Sequence, residues 1–462
     1  MEKPLAGLLP LYLKLYDETL PDLRKDTEDF LDTIVSAIEK QDIKVARGRI
    51  CTLKEEFEEE IKKMSELGVC ALVTLHLAYS PSLESAGALA STDLPLIVFD
   101  TTPDFEFGPG FSSSRIMNNH GIHGVQDMCN LLIRNNKKFE IVAGHYSVPD
   151  VMRKLASKIK SAYLASDFKN NRIGRIGGPF KGMGDFQVEN CFLKEKYGIE
   201  IIEASAEEIS HYMPAYTDKA VAEEINENKI IFKDGGISEE CHANAARASL
   251  AVRQWLKKEK LTGFTINFSA LSSSSGLITM PFLEADKAMA RGIGYAGEGD
   301  TITSALNSTL LKIADDSSFA EMFCPDWKNN SIFLSHMGEI NLKSAAEKPV
   351  LAEKKLPFIA LENPAIASAR FKPGRAQLAN LAPAGGGSFN FIVAEIIIEE
   401  AKNDSFKDTI RGWFKPRNMD VADFLKEFSR HGGTHHSVIT YGGHKEVIAD
   451  FGRMMQWSVI EL

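Results

Sequence analysis

Short apolar runs alternate with longer amphipathic stretches through the first third of the chain. Residues 5–13 predict a buried strand, and 20–39 predict a helix with Leu23, Phe30, Leu31, Ile34 and Ile38 on one stripe. The pattern then repeats, with a strand at 43–47, a charged amphipathic helix at 53–67, and apolar strands at 70–76, 94–100 and 139–145. Such alternation is the signature of a parallel sheet covered by helices on both faces. The runs end in loops rich in Ser, Pro, Gly and His (TLHLAYSPS, FDTTPDFEFGPG, AGHYSVPD). In open α/β sheets the ligand crevice lies at the carboxyl ends of the strands, so these loops are the expected pocket wall.

After residue 160 the alternation restarts, with strands at 171–176 and 198–203, a charged helical stretch reaching 227, a helix at 239–258 and a strand at 263–268. A Ser-rich loop, 269–276, precedes apolar and small residues at 283–293. Beyond about residue 318 the texture changes. Short apolar runs at 331–335, 358–361, 376–381, 388–398 and 437–440 are separated by Pro, Gly and Asn, with one helix at 421–429. That predicts antiparallel β structure, a barrel or sandwich. The expected architecture is α/β: two Rossmann-like doubly wound α/β domains, 1–165 and 166–318, followed by a β-rich, barrel-like C-terminal domain, 319–462.

Composition narrows the function classes. A length of 462 residues calls for more than one core, and 44% hydrophobic with 25% charged residues is a globular balance. The net charge of -10 argues against a nucleic-acid partner, which needs a basic face. No apolar run reaches the ~20 residues of a membrane helix, and the N-terminal run is too short and too lightly basic for a signal peptide. The six cysteines, scattered with no CxxC pair, read as reduced residues of a cytoplasmic protein. The run GRIGG at 174–178 has the spacing of neither GxGxxG nor a P-loop, so no nucleotide cofactor is expected.

The chemistry-bearing stretch is 295–341, which contains YAGEGD, SSFAEMF and FLSHMGEIN. Glu298, Glu321 and His336 stand there among small and apolar residues. Two carboxylates and an imidazole gathered in an apolar setting suit a divalent cation, since the carboxylates otherwise repel each other. The bland alternative makes Glu298 a helix cap, Glu321 a surface helix residue and His336 a hydrogen-bonded core histidine. Farther along, GGTHHS places His435 and His436 in sequence before an apolar strand. Adjacent residues of an extended segment face opposite sides, so one of the two is expected to be a ligand.

The ordered set YAGEGD, SFAE, SHMGEI and GGTHHS, with NNHGIHGVQD upstream, resembles the L-arabinose isomerase family, within the wider group that includes L-fucose isomerase. The resemblance covers almost the whole chain. It implies a cytoplasmic aldose–ketose isomerase using Mn²⁺, or another divalent metal, held by Glu298, Glu321, His336 and His436. Glu298 and Glu321 resemble the family's acid/base pair, which moves a proton between C1 and C2 through an enediolate; a direct hydride shift is the alternative. Glu339 and Asp300 would orient His336 and the GEGD loop. His123 matches a substrate-contacting histidine and His120 stands beside it, in a segment that reaches a neighbouring subunit in relatives, which implies a homo-oligomer (hexamer or tetramer). The competing reading of that segment is a helix N-terminus capped by Asn118 or Asn119. Where the family carries Gln-His-Leu-Tyr, this chain has Leu9, Pro10, Leu11 and Tyr12. Phe180 and Leu271 stand where the family has a pocket methionine and phenylalanine. The resemblance therefore implies L-arabinose or another pentose or deoxyhexose as substrate. A sugar-binding or regulatory protein, or an epimerase, on the same scaffold is the other expectation.

Overall fold

The computed structural model describes residues 2–272, 274–357, 360–401 and 404–462, and the strand counts below are of these residues. The chain forms two compact units, Glu2–Ser166 and Asp167–Leu462.

In the first unit β1 (Leu5–Leu11), β2 (Lys44–Arg47), β3 (Ala71–His76), β4 (Leu96–Asp100) and β5 (Glu140–Ala143) make one parallel sheet in the order β2-β1-β3-β4-β5. The three central strands are buried almost throughout, which is why their sequences are continuous apolar runs rather than alternating ones. The predicted helix at 20–39 begins at Leu23. Pro21 disfavours helical geometry at the residue before it, and Leu20 sits at φ -137° and ψ 57°. A separate short helix, Lys14–Thr19, precedes it. The helices Ser82–Ser91 and Pro149–Lys169 carry no expectation from the pattern, and Ile122–Arg134 starts in the segment whose competing reading is a helix N-terminus. In the first of them Ser82, Ser85, Ala86 and Ala88 supply most of the buried face, with Leu89 its one large apolar residue, so a stripe of large apolar residues is missing.

The second unit opens with β6 (Arg172–Ile176), β7 (Glu200–Ala204), β8 (Lys233–Asp234), β9 (Gly263–Ile266) and β10 (Gly294–Gly297). Four of these form a parallel sheet in the order β10-β9-β6-β7. Its strands are linked by long helices, among them Glu239–Lys258, whose bounds match the sequence expectation. Then come β11 (Ser318–Asp326), β12 (Ser331–Ser335), β13 (Val350–Glu353), β14 (Ala365–Ser368), β15 (Gly374–Ala384), β16 (Ser388–Ile398), β17 (Gly412–Pro416), β18 (His436–Tyr441) and β19 (Ser458–Glu461). The ring β15-β18-β11-β12-β17-β16 closes on itself through the β15–β16 pairing, giving a six-stranded antiparallel barrel. Closure leaves no open edge among those six strands. β19 pairs in parallel with β16, while β8, β13 and β14 form a small separate sheet. The α/β, α/β, β-barrel progression is the architecture the sequence implied. Of the predicted runs 358–361 and 269–276, residues 358, 359 and 273 lie outside the described residues. No helix among the described residues is long and apolar enough to cross a membrane.

Two features of the second unit set up the site. The helix Phe282–Ala290 is buried despite Glu284, Asp286 and Lys287; the Asp286 carboxylate accepts the Ile340 backbone N–H at 2.6 Å, tying this helix to the SHMGEIN loop. The helix Thr301–Leu310 lies directly on β10, and only glycine fits the contact. A Cβ on Gly294 would stand 2.3 Å from the Ser304 carbonyl oxygen and 2.4 Å from the Ser308 nitrogen, both backbone atoms. Gly294→Ala should therefore push the helix off the strand and destabilise the protein by about 1–3 kcal/mol. Chemical denaturation monitored by circular dichroism reads this out, and an unchanged midpoint contradicts the packing described.

Candidate metal centre

The GEGD segment turns sharply where β10 meets the helix Thr301–Leu310. Glu298 takes a left-handed conformation (φ 62°), and Gly299 follows at φ 83°. A non-glycine residue there is costly, and such outliers cluster at functional sites. The turn is pinned by Thr265, whose hydroxyl donates to the Gly297 carbonyl at 3.0 Å and accepts from the Gly299 N–H at 2.9 Å. The helix cap is Asp300, not Glu298: its carboxylate accepts the Thr303 N–H at 2.9 Å, which leaves the Glu298 side chain free to turn inward.

Strand register supplies the other groups. Glu321 lies on β11, opposite Ser335 of β12 on one side and His436 of β18 on the other. It is a strand residue, with its side chain 19% exposed, so the surface-helix alternative does not hold. Phe319, two residues earlier and so on the same face, packs edge-on against His336 at 4.7 Å and His436 at 4.9 Å between ring centres. Asn380 of β15 accepts the Thr434 N–H and donates to the His436 carbonyl, holding the GGTHHS segment to the barrel.

Each of the two buried imidazoles of the centre, His336 and His436, is held by a carboxylate at Nδ1. Glu339 Oε2 lies 2.6 Å from His336 Nδ1 and is itself fixed by the Gly338 N–H, while its Oε1 accepts the Tyr295 hydroxyl at 2.7 Å. Asp300 Oδ2 lies 3.0 Å from His436 Nδ1. The Nε2 atoms point at the glutamates: His336 to Glu321 at 3.8 Å, and His436 to Glu298 at 3.4 Å. His436 is fully buried, and its Nε2 has no hydrogen-bond partner among the described residues. Ligand atoms of Glu321, His336 and His436 lie within 4.8 Å of one another, and so do those of Glu298, His435 and His436. The structure thus brings together all four sequence-predicted ligands, with a histidine not expected among them. His435 stands at the bend before β18, where strand alternation does not operate, so both rings of the pair approach Glu298.

The electrostatics are those of compensated charge. Burial pulls His436 down, but Asp300 and Glu298 outweigh it and hold its pKa at about 10. Burial likewise opposes the charge on Glu298, yet His435 and His436 bring that carboxyl well below the ordinary range. At Glu321 burial dominates and raises the carboxyl, while at His336 burial pulls down but Glu339 and Glu321 together outweigh it and raise the imidazole. A buried imidazole nitrogen without a partner, beside two half-buried carboxylates, fits a divalent cation: the ion takes the place of protons that otherwise balance the cluster.

Other expected site residues fall elsewhere. The Phe180 ring packs on Phe268 at 5.4 Å, and a Cβ on Gly299 would stand 3.3 Å from the Phe180 nitrogen, so this segment borders the GEGD turn. Leu271 is 3% exposed inside the apolar core of the second unit. Leu11, His120 and His123 belong to the first unit. Leu11 is buried at the end of β1, His120 is hydrogen-bonded to the Tyr16 hydroxyl at 2.9 Å, and His123 is exposed. Neither Asn118 nor Asn119 caps the helix Ile122–Arg134: Asn118 donates to Asp26, and Asn119 accepts the Asp104 N–H. Sequence reasoning missed Tyr295, Phe319, Asp185 and Phe186. The first two lie inside the motifs already singled out, whereas Asp185 comes from a glycine-rich loop far away in sequence.

Two family models match the second unit: the L-arabinose isomerase central domain over residues 187–316 and the L-arabinose isomerase C-terminal domain over 316–458. The L-arabinose isomerase of Shouchella clausii is 24% identical over 397 residues, covering 84% of this chain and 80% of its own. That of Geobacillus thermodenitrificans is 24% identical over 447 residues, covering 93% and 89%, and that of Clostridium beijerinckii 23% over 444 residues, covering 94% and 90%. Among solved structures, a periplasmic solute-binding protein of Actinobacillus succinogenes with bound D-allose aligns with 67% of this chain and 92% of its own at 14% identity, but the TM-score of 0.17 carries no argument.

The shifts of His436 and Glu298 fix the sign of a pH effect in chelator-treated protein. Stability from His436 is fully present below its unfolded value of about 6.5 and is lost as pH rises through about 10. Stability from Glu298 is present above about 4.3 and is lost on acidification. The thermal midpoint in chelator should fall between about pH 6.5 and 10, and His436→Asn should flatten that limb. A wild-type midpoint that climbs over this range contradicts the charge assignment.

Proposed function

The chain belongs to the L-arabinose isomerase family and is an aldose–ketose sugar isomerase, and we propose that it is a metal-dependent one acting on L-arabinose or another pentose or deoxyhexose. The observation that carries the metal reading is the matched pair of imidazoles. His336 and His436 each have Nδ1 tied to a buried carboxylate and Nε2 directed at a glutamate, the arrangement by which proteins orient neutral histidine ligands. Glu298, Glu321, His336 and His436 would hold the cation, Mn²⁺ on the family reading, and it would supply the Lewis acidity that polarises the sugar's carbonyl group and so acidifies the C–H bond on the neighbouring carbon.

The chain's own groups then divide the work. Interconverting an aldose and a ketose requires a group that takes a proton from one carbon and a group that delivers a proton to the other. Glu298 and Glu321 are the carboxylates of the centre and come from its two different parts, the GEGD turn after β10 and strand β11. One accepts the proton and the other donates it, with roles exchanged in the reverse direction. Phe319, buried between the two imidazoles, keeps the inner side of the centre dry.

On the same reading the enzyme works in the cytoplasm as a homo-oligomer, with His120 and His123 among its sugar contacts. The replacement of a hydroxyl-binding glutamine by Leu9 supports an altered sugar preference, because an unpaired or missing polar partner changes discrimination strongly. Glu321→Gln should abolish ketose formation, by at least about 10²-fold, while circular dichroism remains that of the wild type; undiminished turnover removes Glu321 from the chemistry. His436→Asn should lower bound metal about 10-fold or more, measured by elemental analysis after dialysis, and undiminished metal content contradicts the ligand assignment.

A further inference from the structure

Tyr295 is buried behind the ligands, yet its polar end is aimed as closely as theirs. It stands on β10 three residues before Glu298 and is 1% exposed. Its ring lies edge-on to Phe264 at 5.0 Å and to Phe319 at 5.9 Å, and its carbonyl accepts the Asn307 amide at 3.2 Å, so strand and ring are both fixed. The hydroxyl is thereby directed at Glu339 Oε1, 2.7 Å away. Gly297, two residues on and so on the same face of β10, lies against the His336 ring: a Cβ there would stand 3.0 Å from His336 Cε1. One strand face thus supports both His336 and the carboxylate that orients it.

The two orienting carboxylates are themselves held in different ways. Asp300 is fixed through Oδ1 by a backbone donor, the Thr303 N–H, and offers Oδ2 to His436. Glu339 has a backbone donor, the Gly338 N–H, only on Oε2, the oxygen that also meets His336 Nδ1. On Oε1 its one donor among the described residues is the Tyr295 hydroxyl. Glu339 is 1% exposed, and a carboxylate oxygen shut away from solvent is costly without a donor. A Glu339 deprived of that hydroxyl lowers the cost by turning toward another donor, and a turn releases His336 from its fixed orientation.

Resting on the metal reading above, we infer that Tyr295 is a positioning residue of the metal centre, whose hydroxyl fixes His336 as a ligand by fixing Glu339. The strand that delivers Glu298 then also sets the aim of His336.

The test measures the Mn²⁺ dissociation constant by titration calorimetry, and the thermal midpoint in chelator, for the wild type, Tyr295→Phe, Glu339→Gln and the double variant. Tyr295→Phe removes one oxygen and keeps the packed ring. It should weaken Mn²⁺ binding about 10-fold, and Glu339→Gln about 10–100-fold. Adding Tyr295→Phe to Glu339→Gln should cost nothing further, within about 2-fold, because the hydroxyl acts only through that carboxylate. Unchanged Mn²⁺ affinity in Tyr295→Phe overturns the inference, and a lowered midpoint in chelator with unchanged affinity makes the hydroxyl a structural contact only. Losses that multiply in the double variant overturn it as well, since Tyr295 then acts by another route. If Glu339→Gln does not fold, His336→Asn serves as the second background, and a further loss on adding Tyr295→Phe there overturns the inference. A wild type that does not bind Mn²⁺ refutes the metal reading itself, whereas a wild type that binds it, with Tyr295→Phe indifferent, refutes this inference alone.

Discussion

The bond between each site imidazole and a buried carboxylate is the interaction on which the centre depends. Without Glu339 the His336 ring has no fixed orientation, and without Asp300 neither does that of His436. Both carboxylates also do structural work: Asp300 caps the helix that follows the GEGD turn, and Glu339 receives the Tyr295 hydroxyl from the β10 strand. The same contacts that aim the nitrogens therefore join the parallel sheet to the barrel within the second unit.

That junction explains why one site needs two kinds of sheet. The parallel sheet delivers Glu298 at the carboxyl end of β10, the end at which α/β sheets expose functional groups. The barrel delivers Glu321 and His436 from neighbouring antiparallel strands, where register makes them face each other directly. A one-residue slip of β18 against β11 would turn His436 away and destroy the group. Barrel closure and the hold of Asn380 on the GGTHHS segment oppose such a slip.

The architecture was legible in the sequence because buried parallel strands and long amphipathic helices leave strong periodic signals; the helix Glu239–Lys258 is the clearest instance. The helix Ser82–Ser91 left none, since small residues bury without forming an apolar stripe. Glu298, Glu321 and His336 stood out as ligand-type residues among small and apolar neighbours, Glu339 and Asp300 lay within the same motifs, and His436 was set apart from His435 only by the resemblance to the family. Asp185 left no such trace, because its partner is 250 residues away and the contact exists only once the loop folds over β18. The convergence of His435 and His436 was hidden as well: alternation along an extended segment predicts divergence, and a bend ahead of the strand removes it.

The most direct test of the account is ketose formation from a panel of aldopentoses and deoxyhexoses by protein stripped with chelator and then resupplied with Mn²⁺. The account predicts negligible turnover after stripping and recovery with the metal on at least one sugar of the panel. Full turnover in the stripped protein, or none on any sugar after metal has been restored and shown to bind, would contradict it.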